Sequence, residues 1–262
     1  MKLTKSILTK NDCYKANRKI KVKGLMIHSV GCPQPSASVF LKNWNKAGYK
    51  ACVHAFIDGN TGEVYQTLPW EHRGWHGGGK SNDTHIGVEM CEPSTIKYTR
   101  GAYFVDNNPT TTKQVVMRTY KSAVELFAYL CKEYNLNPLA DGVILSHSEG
   151  HKRGIATNHG DVEHLWKKFG LTMDGFRKDI KEAMGSDVVT DKKEETASSA
   201  FVPYKAKVTA SVLNVRKGAN TSYKITATVK KGEVYTIVDE KDGWGKLKSG
   251  AGWISLKYVV KI

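Results

Sequence analysis

The chain lacks any long apolar run; nowhere does it approach the about 18 uninterrupted apolar residues that a membrane-spanning helix needs. Residues 1–17 contain lysines but no apolar stretch fit to be a secretion signal, so the protein is expected to be made in the cytoplasm. No Cys-x-x-Cys pair occurs, and the five cysteines (Cys13, Cys32, Cys52, Cys91, Cys131) are an odd number. Both facts argue against a disulfide framework and against a cysteine-based zinc site. The thiols are expected to be reduced and mostly buried, as small apolar residues in a reducing compartment are. Negative charge is also scarce. Against 40 Lys and Arg stand 25 Asp and Glu, and the net charge of +15 draws the chain toward polyanions: nucleic acid, anionic membrane or anionic cell wall. No helix-turn-helix, zinc finger or aromatic strand platform is found, so the nucleic-acid reading has only charge behind it.

What is present suffices for a medium domain and a small one within 262 residues. Residues 185–199 hold no aromatic residue, little apolar content and much Ser, Thr and charge, the texture of a linker. The expected division is a first domain over 1–184, a linker over 185–202 and a small domain over 203–262. In the first, apolar runs at 21–28, 52–57, 63–68, 84–90 and 143–146 read as strands, with a hairpin turn at 58–62. A short helix is expected over 38–47, stopped by Gly48. The longest helix is expected over 111–134, where Val116, Tyr120, Ala123, Phe127, Leu130 and Tyr134 mark one buried face. Phe176, Ile180 and Ala183 mark a last helix. This is an α/β domain with a mixed central sheet flanked by helices. After the linker, short β segments at 207–210, 212–216, 225–229, 233–239, 244–248 and 252–254 alternate with Gly and Lys turns, and read as a small all-β SH3-like barrel. Residues 203–262 hold twelve Lys or Arg against four Asp or Glu, scattered as on a charged surface rather than gathered in one arm.

Two histidines occupy similar places. His28 ends the run Leu25-Met26-Ile27, and His147 follows 143–146. Buried strands of an α/β sheet present their ends at one rim, where two such imidazoles can converge. Imidazole suits Zn²⁺, and a catalytic zinc takes three protein ligands. The polar loop after His147 (Glu149, His151, His159, Asp161, His164) can supply the third.

The motifs GLMIHSVG (24–31), VHAFIDGNTGEVYQTLP (53–69), RGWHGGG (73–79) with SNDTHIGVEMCEP (81–93), and LSHSEGHKRGIATNHGDVEHLW (145–166) stand in one order. In that order they resemble the type-2 N-acetylmuramoyl-L-alanine amidases, whose fold is shared with peptidoglycan recognition proteins and phage lysins. The resemblance implies a peptidoglycan hydrolase that cuts the amide between N-acetylmuramic acid and L-alanine with a Zn²⁺ cofactor. It implies His28 and His147 as metal ligands and Asp161 as the third. His159 falls where many relatives have a lysine facing the developing oxyanion. Either His159 does that work as imidazolium, or His159 is the ligand and Asp161 supports it; the motif register favours Asp161. Glu89 matches the catalytic glutamate, a carboxylate that moves protons between water and the leaving amine. Val53 stands where some relatives carry a tyrosine. Trp75, His76 and the glycines after them resemble the loop lining the substrate groove, with Trp75 stacking on a sugar and backbone approaching the ligand closely. Arg73 is expected to meet the peptide's carboxylates.

The motifs LNVRKG (213–218), VKKGE (229–233), GWGKL (243–247) and GWI (252–254) resemble bacterial SH3-type wall-binding domains. Tyr223, Tyr235, Trp244 and Trp253 are the candidates for the binding face. The implied partners are peptidoglycan and associated anionic wall polymers, not nucleic acid. A wall-degrading domain without a secretion signal resembles a phage lysin released at lysis, through a holin if phage-encoded; a cellular autolysin exported by another route is the alternative. A non-catalytic peptidoglycan receptor and a zinc endopeptidase on the same fold are the alternatives.

Overall fold

Leu25, Met26 and Ile27 are all without solvent contact, because the strand that carries them lies inside a sheet covered on both faces. The computed structural model describes residues 1–185, 203–221, 223–241 and 243–262. Two units form, Met1–Val189 and Thr190–Ile262. The linker reading falls outside the described residues, save Gly185, which ends a helix.

The first unit runs β1 (Leu3–Lys5), α1 (Asp12–Ala16), β2 (Gly24–Ser29), α2 (Ala37–Trp44), β3 (Ala55–Ile57), β4 (Val64–Gln66), β5 (His85–Met90), β6 (Ile96–Arg100) and β7 (Tyr103–Asp106). It continues with α3 (Pro109–Glu133), β8 (Ile144–Ser146), α4 (His147–Lys152), α5 (Glu163–Trp166) and α6 (Met173–Gly185). The main sheet has the order β1-β4-β3-β5-β2-β8 and is mixed: β3 and β4 pair antiparallel, while β2 is parallel to both β5 and β8. The turn between β3 and β4 is held by Asp58, whose Oδ1 accepts from the amides of Asn60 (2.9 Å) and Thr61 (3.0 Å). Asn108 caps α3 at the amide of Thr111, with Pro109 at the first helical position.

Alternation along β5 divides its two faces. Ile86, Val88 and Met90 enter the core with Leu25, Ile27, Val116, Phe127 and Phe176, under α3 and α6. His85, Gly87 and Glu89 point the other way, as does His28 on β2. Beyond β3 that second face is covered by α2, where Phe40 stacks on Phe56 with ring centroids 5.2 Å apart. All five cysteines are free; Cys52, Cys91 and Cys131 are buried and the other two half-buried.

The second unit is all β: β9 (Tyr204–Val208), β10 (Val212–Arg216), β11 (Ile225–Lys230), β12 (Val234–Lys241), β13 (Trp244–Leu247), β14 (Trp253–Ser255) and β15 (Val259–Lys261). They form one sheet, ordered β11-β10-β14-β13-β12-β9-β15, around a core that includes Ala206, Val208, Leu213, Val215, Ile237, Leu247 and Ile254. Among the described residues no helix is long and apolar enough to cross a membrane.

Candidate metal centre and its cleft

Three neighbouring strands, β5, β2 and β8, deliver the site at their carboxyl ends. His28 pairs in register with Glu89, and Ile27 with Ser146, so His147 follows one residue beyond. His147 opens α4. Ser146 caps that helix and forms a reciprocal capping box with Glu149, which Arg177 of α6 also contacts. Asp161 is placed by the residues after it, since Val162, Leu165 and Trp166 are buried in the main core. His28 Nδ1 lies 3.0 Å from His147 Nδ1 and 3.1 Å from Asp161 Oδ2, and His147 Nδ1 lies 3.6 Å from Asp161 Oδ1. Among the described residues these three make the one group able to hold a metal, with donor atoms all within 4.8 Å of one another.

The remaining ring nitrogens decide the tautomers. His76 Nε2 donates to the His85 carbonyl (3.1 Å), so its Nδ1 accepts from His28 Nε2 (3.0 Å). His147 Nε2 donates toward Thr157 Oγ1 and His159 Nδ1, each at 3.2 Å. Both rings therefore turn the lone pair of Nδ1 toward the Asp161 carboxylate. Three electron-pair donors this close repel unless a cation or a proton lies among them, so the donor set fits a metal ion. Burial pushes the Asp161 carboxyl up, but the His147 and His28 rings beside it outweigh burial and hold the group below the usual carboxylate range. His28 and His76 are both held below the usual imidazole range, chiefly by burial.

Glycine makes room for this scaffold. A Cβ at Gly87 would lie 2.3 Å from the His76 ring, and one at Gly24 would lie 2.6 Å from His85. His54, which the motifs also contain, is fully buried and structural. Its Nδ1 accepts from the Gly87 amide (3.0 Å), its Nε2 donates to the His72 carbonyl (2.8 Å), and burial lowers its pKa to about 4.

A cleft of about 410 Å³ opens over these residues and is also lined by Glu89, His159 and the tip of the β6–β7 hairpin at Gly101 and Ala102. Glu89 Oε2 is buried and has no hydrogen-bond partner among the described residues. Burial, then the charges of Asp161 and Glu92, raise its pKa well above the ordinary value. His159 is exposed at the cleft.

The structure adds a cluster that the sequence did not disclose. Glu92, 1% exposed, accepts from Tyr98 Oη (2.7 Å) and the Gly31 amide (3.1 Å), and Tyr98 Oη accepts from His164 Nε2 (2.6 Å). Burial above all raises the Glu92 pKa to about 7. Tyr98 thus ties the β6–β7 hairpin to α5, just after Asp161.

Other expected site residues fall elsewhere. Arg73 pairs with Asp83 and lies over the Trp75 ring (5.3 Å); neither Arg73 nor Trp75 lines the cleft, though Trp75 is 48% exposed. His76 lines it but is turned to His28. The glycines of 77–79, expected to admit a ligand, instead admit the chain at 155–157. A Cβ on Gly79 would lie 2.6 Å from the Ile155 carbonyl, and the Thr157 amide donates to the Gly77 carbonyl (2.8 Å). In the second unit Tyr223 is 47% exposed, packed on Gly218, while Tyr235, Trp244 and Trp253 are half-buried.

Residues 18–162 match the family described as N-acetylmuramoyl-L-alanine amidase, and residues 211–260 match the bacterial SH3 domain. Comparison with curated proteins finds no match. The chain is similar in structure to the Staphylococcus aureus hydrolase AmiA, solved in complex with its ligand, at 19% identity and a TM-score of 0.50, over 70% of this chain and 83% of that one. It is similar also to the catalytic domain of PlyG, at 14% identity and a TM-score of 0.50, over 73% of this chain and all of that one. At such identities the likeness is one of fold. On its family match, which spans more than half of its length, the chain belongs to the N-acetylmuramoyl-L-alanine amidase family and carries a bacterial SH3 domain after the amidase domain.

Proposed function

We propose that the protein is a zinc-dependent amidase that hydrolyses the amide between the lactyl group of N-acetylmuramic acid and L-alanine, with residues 203–262 holding it on the wall and 185–202 as the tether. The observation that carries this reading is the convergence of His28 Nδ1, His147 Nδ1 and Asp161 beside a buried, unpartnered Glu89 oxygen in one cleft of an amidase-family chain.

His28, His147 and Asp161 would hold the zinc, which would supply Lewis acidity for the scissile carbonyl and a lowered pKa for water. Glu89, with its raised proton affinity, takes the proton of the attacking water and passes it to the leaving amine. His159, exposed at the cleft mouth and close to His147, stands where it can face the developing oxyanion. Geometry favours Asp161 over His159 as third ligand, since only Asp161 joins the donor group. His76 orients His28 through Nε2. Trp75 and Arg73 are assigned to parts of the substrate beyond the cleft. Tyr223, Tyr235, Trp244 and Trp253 are assigned to wall contact, with Tyr223 the most exposed of the four.

His28→Ala is expected to lose zinc, whereas Glu89→Ala keeps zinc and loses activity by about 10²- to 10⁴-fold. Metal content by mass spectrometry alongside release of peptide from a muramoyl-peptide substrate separates the two. Equal zinc loss in both variants would contradict the division of labour.

A further inference from the structure

The second unit carries a sheet face set with exposed lysines, of which Lys246 lies over the Trp253 ring (6.0 Å). On β9, Lys205 and Lys207 are exposed and alternate with the buried Ala206 and Val208. On β13 and just past its end, Lys246 and Lys248 are exposed and alternate with the buried Gly245 and Leu247. Both strands flank β12, and the register places all four lysines on its outer side. Thr236 pairs with Lys205, and its carbonyl accepts from the Lys248 amide (2.9 Å); Val234 pairs with Lys207 and Asp239 with Lys246. Along each strand the two lysine positions stand about 7 Å apart, and β9 and β13 are about 10 Å apart across β12. Among the described residues none of the four lysines forms an ion pair, and Asp239 is the one acid set opposite any of them.

We propose that this face binds a linear phosphodiester polymer of polyol units, an anionic component of bacterial walls; this rests on the wall-targeting reading above and assigns the surface and its ligand. Like charges on neighbouring strand positions repel, and a polyanion laid across them removes that repulsion. The choice of cation points to phosphate rather than to peptide carboxylates. Carboxylates are best gripped bidentately by arginine, whereas lysine meets phosphate as a point charge whatever the oxygen's orientation. The unit has one arginine, Arg216, and its guanidinium donates to the Tyr223 carbonyl (2.8 Å). Exposed aliphatic side chains border the lysines: Val234 opposite Lys207 on one side, Val260 opposite it on the other. They offer apolar contact to the carbons between phosphates. The register sets no aromatic ring opposite Lys205 or Lys207, and the ring that pairs with Lys246, Trp253, lies 6.0 Å from its ammonium, so the lysines of β9 have no row of rings of the kind on which single-stranded nucleic acid stacks.

The test is binding of the full chain to purified Gram-positive walls, with EDTA present so that the walls stay intact. Walls are compared before and after hydrofluoric acid has removed their phosphodiester polymers. The expected results are at least about tenfold weaker binding to stripped walls, and the same loss on native walls for the variant Lys205→Gln, Lys207→Gln, Lys248→Gln. The slope of log affinity against log salt should fall by about 2 to 3 in that variant. The corresponding triple Lys→Arg variant should keep native binding, since the charge is retained, and unfolding curves confirm that both variants fold. Equal binding to stripped and native walls, or a Gln variant that binds like the parent, would overturn the assignment while leaving wall targeting intact. Release from native walls by duplex DNA but not by soluble poly(glycerol phosphate) would overturn it in favour of nucleic acid. Binding to neither wall would overturn the targeting reading and this assignment together.

Discussion

Two carboxylates of one cleft are driven apart in proton affinity by their neighbours. Asp161 lies against two imidazoles and is held down, whereas Glu89 is half-buried, with a buried Oε2 that has no partner among the described residues, and is pushed up. Such separation supports the proposed division, in which one group holds charge and the other moves protons. Glu92 gives a measurable consequence. Its pKa of about 7 lies above the ordinary 4.5, so between those values the folded chain binds a proton that the unfolded chain has lost. Stability tied to that group is therefore complete below pH 4.5 and falls as pH rises toward 7. The variant Glu92→Gln has no such slope. Urea unfolding across this range should show the variant gaining on the parent with rising pH, with a ceiling of roughly 3 kcal/mol at about 1.4 kcal/mol per tenfold of proton affinity. Parallel pH profiles would refute it. Glu92 was unreadable in the sequence because its importance comes from Tyr98 and His164, six and 72 positions away, and no spacing rule links them.

The carboxyl ends of β2, β5 and β8 bring together residues far apart in the chain, and those strands were readable as apolar runs. So was α3, from its periodicity. The β6–β7 hairpin was not, because only Ile96 of it enters the core, with Tyr98 and Phe104 packed beside it, while its tie to Glu92 and His164 runs through one tyrosine hydroxyl. Strands β1 and β15 are edge strands of three residues each, too short for a period to mark them. The triple glycine of 77–79 was readable as a site of close approach, but only the fold shows that the approaching chain is 155–157. A glycine on β5 supplies the test at this scale. Gly87→Ala puts a methyl into the His76 ring, which must move and release His28 Nε2. Zinc affinity, by competition with a chelating dye, is expected to fall about 10- to 100-fold, the usual effect of losing an outer partner of a metal ligand. Unchanged affinity would show that His76 does not orient His28.

Across the whole molecule the two units share a chain but not a core, and the candidate metal ligands all belong to the first. A ligand that binds only the folded form stabilises the unit that binds it. Calorimetry with and without zinc should therefore move one unfolding transition by several degrees and leave the transition of the SH3 unit in place. Movement of both by the same amount would mean that the units unfold together. The net charge of +15 is also a property of the whole, readable at once, but charge alone could not say which surface uses it.

The central claim concerns one bond, and mass spectrometry of purified bacterial walls digested with and without a zinc chelator tests it most directly. The predicted result is free stem peptides with a new N-terminal L-alanine, no new reducing sugar ends, and no product under chelation. New N-termini elsewhere in the peptide, or product formation indifferent to the chelator, would contradict it.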